Sequence, residues 1–156
     1  MIIDCAIDCD WWLEPDELEA LSNRAILCAA RHLVENIPGS DAEVSILFTT
    51  DEHVQELNRQ WRQQDKPTNV LSFAANEGAG PLTPVLGDIV LAQETILQEA
   101  KAQGKTRQDH LTHLIIHGFL HLLGYDHILE AEAREMEELE TCVLAQLGIA
   151  DPYGTP

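Results

Sequence analysis

Positive charge is scarce in this sequence. Nine Lys and Arg stand against 27 Asp and Glu, giving a net charge of −18. So acidic a surface repels nucleic-acid phosphate, which excludes tight non-specific binding to DNA or RNA. Any nucleic-acid function needs a local basic patch, and the sequence offers one cluster, Arg59, Arg62 and Lys66. No run of 18 apolar residues occurs, so no membrane span is expected. The opening Met1-Ile2-Ile3-Asp4 has no basic region of the kind that begins a secretory signal. The four cysteines, Cys5, Cys9, Cys28 and Cys142, form no C-x-x-C pair. They read as reduced thiols in the cytosol. Internal repeats, linkers and low-complexity segments are also lacking.

What is present suits one domain, residues 1–156, long enough to bury about 68–70% of its unfolded surface. Residues 2–8 alternate as a strand. Pro15 opens a helix whose stripe, Leu18, Leu21, Ala25 and Cys28, carries it to about Asn36, with His32 at the core edge. Val44, Ile46 and Phe48 alternate in a second strand. Thr49 and Glu52 form a capping box for a helix over about 51–62, with Val54, Leu57 and Trp61 on its buried stripe. Val70 to Phe73 is a strand and residues 76–84 a loop. Val85 to Leu91 is nearly all apolar, as suits a strand covered on both faces. A short helix over 93–103 stops at Gly104. Thr106 and Asp109 cap a helix that is apolar nearly all round and therefore central. In the last helix, about 129–147, Met136, Leu139, Val143 and Leu147 are expected to bury. Glu130, Glu135, Glu137, Glu138 and Glu140 are expected to face water, with a loose tail from Asp151. The order βαβαββααα indicates an α+β fold: a small mixed sheet of about four strands packed with about five helices.

The central helix carries the chemistry. His117 and His121 are four residues apart, so their rings share one helix face. Gly124 lets the chain leave the helix, and His127 can fold back as a third ligand. Three imidazoles with a fourth position left for water describe a catalytic zinc site. The spacing is metzincin-like, but Gly118 stands where the protease glutamate, its general base, would be. His113, one turn before His117, either orients a ligand, lines the cleft or is a satisfied core-edge histidine; the last is favoured. Asp126 is a turn residue or orients a histidine, and Asp88 is another acid within possible reach of the cleft.

Three stretches carry a resemblance to a family. They are Leu57-Asn58-x-x-Trp61-Arg62-x-x-Asp65-x-Pro67-Thr68-Asn69-Val70-Leu71-Ser72-Phe73, then Leu86-Gly87-Asp88-Ile89, then His117 to His127. In order and spacing the chain resembles the YbeY family of bacterial zinc-dependent endoribonucleases, which often has Asp where Asn69 stands. The resemblance implies a mixed sheet packed against helices. It implies that His117, His121 and His127 bind one zinc ion and that Arg62 is the functionally required arginine. It further implies single-strand-specific cleavage in maturation of the 16S rRNA 3′ end, ribosome quality control, a cytoplasmic location and the small ribosomal subunit as partner. Basic ribosomal proteins suit the acidic surface as further partners, and DNA and membranes do not. Two other classes stand beside it: a zinc metallopeptidase, and a non-catalytic ribosome-assembly factor with a structural metal.

Overall fold

The computed structural model describes residues 1–76, 82–126 and 128–153, apart from the side chain of Val34. Four strands form a mixed sheet: β1 (Ile2–Ile7), β2 (Glu43–Thr49), β3 (Val70–Ala74) and β4 (Val85–Ala92). Their spatial order is β1-β2-β4-β3. β1, β2 and β4 run parallel, with Cys5 opposite Ile46 and Ile46 opposite Ile89. β3 is antiparallel to β4, with Ser72 opposite Ile89, and forms an edge. The helices are α1 (Pro15–His32), α2 (Asp51–Arg62), α3 (Gln93–Gln103), α4 (Arg107–Leu122) and α5 (Glu130–Gln146). A 3-10 turn spans Val34–Asn36. The four-stranded sheet and five α-helices are those the hydrophobic patterns indicated.

Residue alternation sorts the sheet into two faces. On one, Val44, Ile46, Phe48, Ile89 and Leu91 pack with α1 and α4, and α5 lies outside α4. On the other, Leu71, Val90 and Ala92 pack with Val54 of α2. β4 is the strand both layers bury, which accounts for its apolar run.

Several local expectations shift. The cap of α2 is Thr50, not Thr49: its hydroxyl accepts from the His53 N–H at 3.2 Å, while Thr49 Oγ1 lies 3.0 Å from His53 Nδ1. α1 stops at His32, which is exposed rather than at a core edge and meets Gln146 at the surface. Trp61 is 69% exposed and so is not on the buried stripe of α2. Its place on the buried stripe goes to Asn58, whose amide donates to the Lys66 carbonyl at 2.9 Å and ties down the loop into β3. Thr106 caps α4 as expected, accepting from Asp109 N–H at 3.1 Å.

Candidate metal centre

α4 lies across β3 and β4, and Gly118 is why it can approach so closely. A methyl group there would stand 2.9 Å from Ile89 Cγ2 and 3.1 Å from Ser72 Oγ. At this contact Ser72 Oγ donates to the Gly118 carbonyl at 3.2 Å. The helix end is equally specified. Gly124 has φ +101°, and its N–H reaches the His121 carbonyl at 3.0 Å while Tyr125 N–H reaches Leu120 at 3.1 Å. This is a Schellman turn, and it aims the Tyr125 carbonyl back at the helix.

That carbonyl fixes one imidazole. His121 Nδ1 lies 2.9 Å from Tyr125 O, which can only accept, so Nδ1 carries the proton. His117 Nδ1 lies 2.5 Å from Glu140 Oε1. Burial on its own would push the Glu140 carboxyl up, but hydrogen bonds from His113, His117 and Tyr153 outweigh it and hold its pKa down at about 2. Glu140 is therefore an ionised acceptor, and His117 too is protonated on Nδ1. The two Nε2 atoms then face each other 3.1 Å apart. In the neutral rings these are lone pairs, two donor atoms that one cation can bridge. Tetrahedral zinc with bonds of about 2.0–2.1 Å needs its ligand nitrogens roughly 3.3 Å apart, so the pair fits such an ion. His127, the third expected ligand, lies outside the described residues.

Glu140 departs most from expectation. Its acidic neighbours in sequence place it with the solvent-facing acids of α5, yet it is 0% exposed. It shares a face with Met136, Val143 and Leu144, all buried, and that phase was the available signal. His113 Nε2 lies 3.1 Å from Glu140 Oε2, and the Tyr153 hydroxyl donates to the same oxygen. His113 is thus buried and held through Nε2, but its buried Nδ1 meets no hydrogen-bond partner among the described residues, so the ring is only half satisfied. The tail after Asp151 is not loose through Tyr153: Thr141 Oγ1 and Tyr153 N–H both donate to Asp151 Oδ1, at 3.2 and 2.8 Å. One ligand atom each from His113, His117 and Glu140 lies within 4.8 Å of the others, a set that could itself hold a metal. The 2.5 Å contact between His117 Nδ1 and Glu140 Oε1 joins two members of that set directly and is shorter than an ordinary N–H···O hydrogen bond.

The paired imidazoles lie on a cleft of about 850 Å³, which Arg62, Asn69, Ser72, Asn76, Tyr125 and Asp126 also line. Odd residues of β3 bond to β4, as the Ala92 N–H to Asn69 O and Ala75 N–H to Leu86 O contacts show, so Ser72 turns its carbonyl to the free edge. Arg62 Nη2 donates to it at 2.6 Å, and the guanidinium sits 5.2 Å from the centre of the Phe73 ring. Of the basic cluster only Arg62 lines the cleft; Arg59 is paired with Glu56 at 2.5 Å. Asn69 donates to Glu99 Oε1 at 2.9 Å, where His110 Nε2 also binds at 2.9 Å. An amide suits this position, since a carboxylate would face another. Asp88 is exposed on the α2 side of β4, the face opposite the histidines, and does not line the cleft.

Comparison with known proteins agrees with this architecture. A solution structure of a Thermotoga maritima protein superimposes with a TM-score of 0.57 at 23% identity, covering 99% of this chain and 100% of its own, which shows the shared fold. A relative from Allorhizobium ampelinum is 53% identical over 156 residues, covering 97% of this chain and 93% of its own length. One from Methylocella silvestris is 47% identical over 155 residues, with 99% and 87% coverage. Both relatives bear the name Endoribonuclease YbeY. The model of that family, Endoribonuclease YbeY, matches residues 12–148, and the chain belongs to it.

Proposed function

We propose that the chain is a zinc-dependent endoribonuclease acting on single-stranded RNA, with His117, His121 and His127 as metal ligands and Arg62 as the catalytic arginine. The observation that carries this reading is the facing pair of Nε2 atoms, 3.1 Å apart, on a cleft that Arg62 also lines. A zinc ion bound there supplies Lewis acidity toward a phosphoryl oxygen and makes a water molecule more acidic. Arg62 neutralises charge that develops on the phosphorane. Its planar fork matches phosphate oxygens, and the Ser72 carbonyl and Phe73 ring hold that fork in orientation before substrate arrives. Single-stranded RNA suits a cleft reached past one arginine better than a duplex, which needs a broad basic surface.

The substrate proposed is precursor ribosomal RNA, with cleavage at the 16S 3′ end serving maturation and ribosome quality control in the cytoplasm. A net charge of −18 opposes binding to free RNA, so basic ribosomal proteins of the small subunit are proposed to bring enzyme and substrate together. The same net charge opposes non-specific binding to DNA. Among the described residues, no helix is long and apolar enough to cross a membrane. Against the metallopeptidase reading stands Gly118, which supplies no carboxylate base, and a Cβ there would already stand 2.9 Å from Ile89 Cγ2 and 3.1 Å from Ser72 Oγ.

Mapping cleavage of a precursor rRNA by wild type, Arg62→Ala and His117→Ala tests the reading. Arg62→Ala should keep zinc and fold but lose most cleavage, and His117→Ala should lose zinc and stability together. Wild-type cleavage by Arg62→Ala, or chelator-sensitive digestion of unstructured peptides in place of RNA, would overturn it. A 2′,3′-cyclic phosphate product end identifies the 2′-hydroxyl as nucleophile.

A further inference from the structure

We propose that the C-terminal segment completes the metal centre: Tyr153, acting through the buried Glu140, positions His117 for ligation. The proposal rests on the reading of His117 and His121 as ligands. Four contacts carry it. Thr141 Oγ1 and Tyr153 N–H anchor Asp151 Oδ1 at 3.2 and 2.8 Å. The Tyr153 hydroxyl donates to Glu140 Oε2, and Glu140 Oε1 holds His117 Nδ1 at 2.5 Å. The chain of contacts runs without a break from the tail to the imidazole that faces His121.

The energetics point the same way. A buried carboxylate is costly unless its lone pairs are engaged. Glu140 is wholly buried between α4 and α5, beside Met136, Val143 and Leu144 on its own helix. Its two oxygens are engaged by His117, His113 and Tyr153. Burial and the neighbouring carboxylate push the Tyr153 phenol well above its ordinary range, so it stays a donor. The Tyr153 ring also stands edge-on to His113, with centroids 5.6 Å apart and its hydroxyl 3.3 Å from His113 Nε2. A carboxylate behind a ligating imidazole fixes its tautomer and raises its basicity, and losing such a partner typically weakens metal binding about 10–100-fold. Glu140 and Tyr153 touch no substrate; they are positioning residues.

The test uses Glu140→Gln and Tyr153→Phe in the full chain. Zn²⁺ affinity is measured by competition with a chromophoric chelator, the His117 ring tautomer by ¹⁵N NMR of metal-free protein, and melting temperature alongside. Glu140→Gln should weaken Zn²⁺ about 10–100-fold and turn the single Nδ1–H tautomer of His117 into a mixture. Tyr153→Phe should move both readouts in the same direction by less. If Glu140→Gln does not fold, Tyr153→Phe decides alone. Lowered melting temperature with unchanged affinity and tautomer would overturn the positioning role and leave the ligand reading standing. A wild-type protein that binds no Zn²⁺ would overturn the ligand reading itself.

Discussion

Replacing Gly118 by alanine sets two effects of opposite sign against each other. Alanine is favoured over glycine within a helix by about 1 kcal/mol. The new Cβ, however, would stand 2.9 and 3.3 Å from two carbons of Ile89 and 3.1 Å from Ser72 Oγ. Ile89 is wholly buried and β-branched, and the nearer carbon is attached to its Cβ, so no flexible end can swing away. Overpacking of this kind typically costs about 1–3 kcal/mol. The net expectation is a loss of up to about 2 kcal/mol, read as a lowered urea midpoint in metal-free protein. Activity should fall further than stability. Gly118 sits on the helix that carries the histidines, and Ser72 holds Arg62, so the added methyl pushes the two halves of the site apart. A variant more stable than wild type by about 1 kcal/mol, the propensity difference alone, would refute the close-approach argument.

Other outcomes follow from the same structure. Gly124→Ala places a side chain at φ +101°, which L residues rarely adopt; it should destabilise the protein and loosen the Tyr125 carbonyl from His121, lowering Zn²⁺ affinity in a chelator titration. Thr106→Ala should cost about 1 kcal/mol in denaturant midpoint without changing Zn²⁺ affinity, because the cap lies at the far end of α4. Burial lowers the His110 pKa from 6.5, and the Glu99 hydrogen bond only partly offsets it. Below 6.5 the unfolded chain binds a proton that the folded chain resists, so this group's contribution is intact above 6.5 and lost as pH falls from there. His110→Gln should flatten stability against pH over that window, as chemical denaturation at several pH values would show.

Much of the layout was legible because its causes are local. The nearly continuous apolar run of β4 meant two covered faces, and the nearly all-round apolar α4 meant a central helix with its histidines under constraint. Gly124 marked the helix end, and the His117–His121 spacing alone placed two rings on one face. What stayed hidden depends on tertiary phase. Glu140 sits in an acidic run, and only its register with Met136 and Val143 sets it apart from neighbours in water. Tyr153 follows the last helix, where nothing local predicts docking; its partner is thirteen positions back and buried. Strand order was equally non-local, since β3 joins β4 as an antiparallel edge and leaves α2 alone on the far face.

X-ray absorption at the zinc edge of the loaded protein addresses the central claim most directly. The account predicts one zinc per chain in a low-coordinate nitrogen and oxygen shell at about 2.0–2.1 Å. It also predicts outer-shell scattering from imidazole rings that weakens in His121→Ala. A spectrum that His121→Ala leaves unchanged, or a first shell without imidazole, would contradict it.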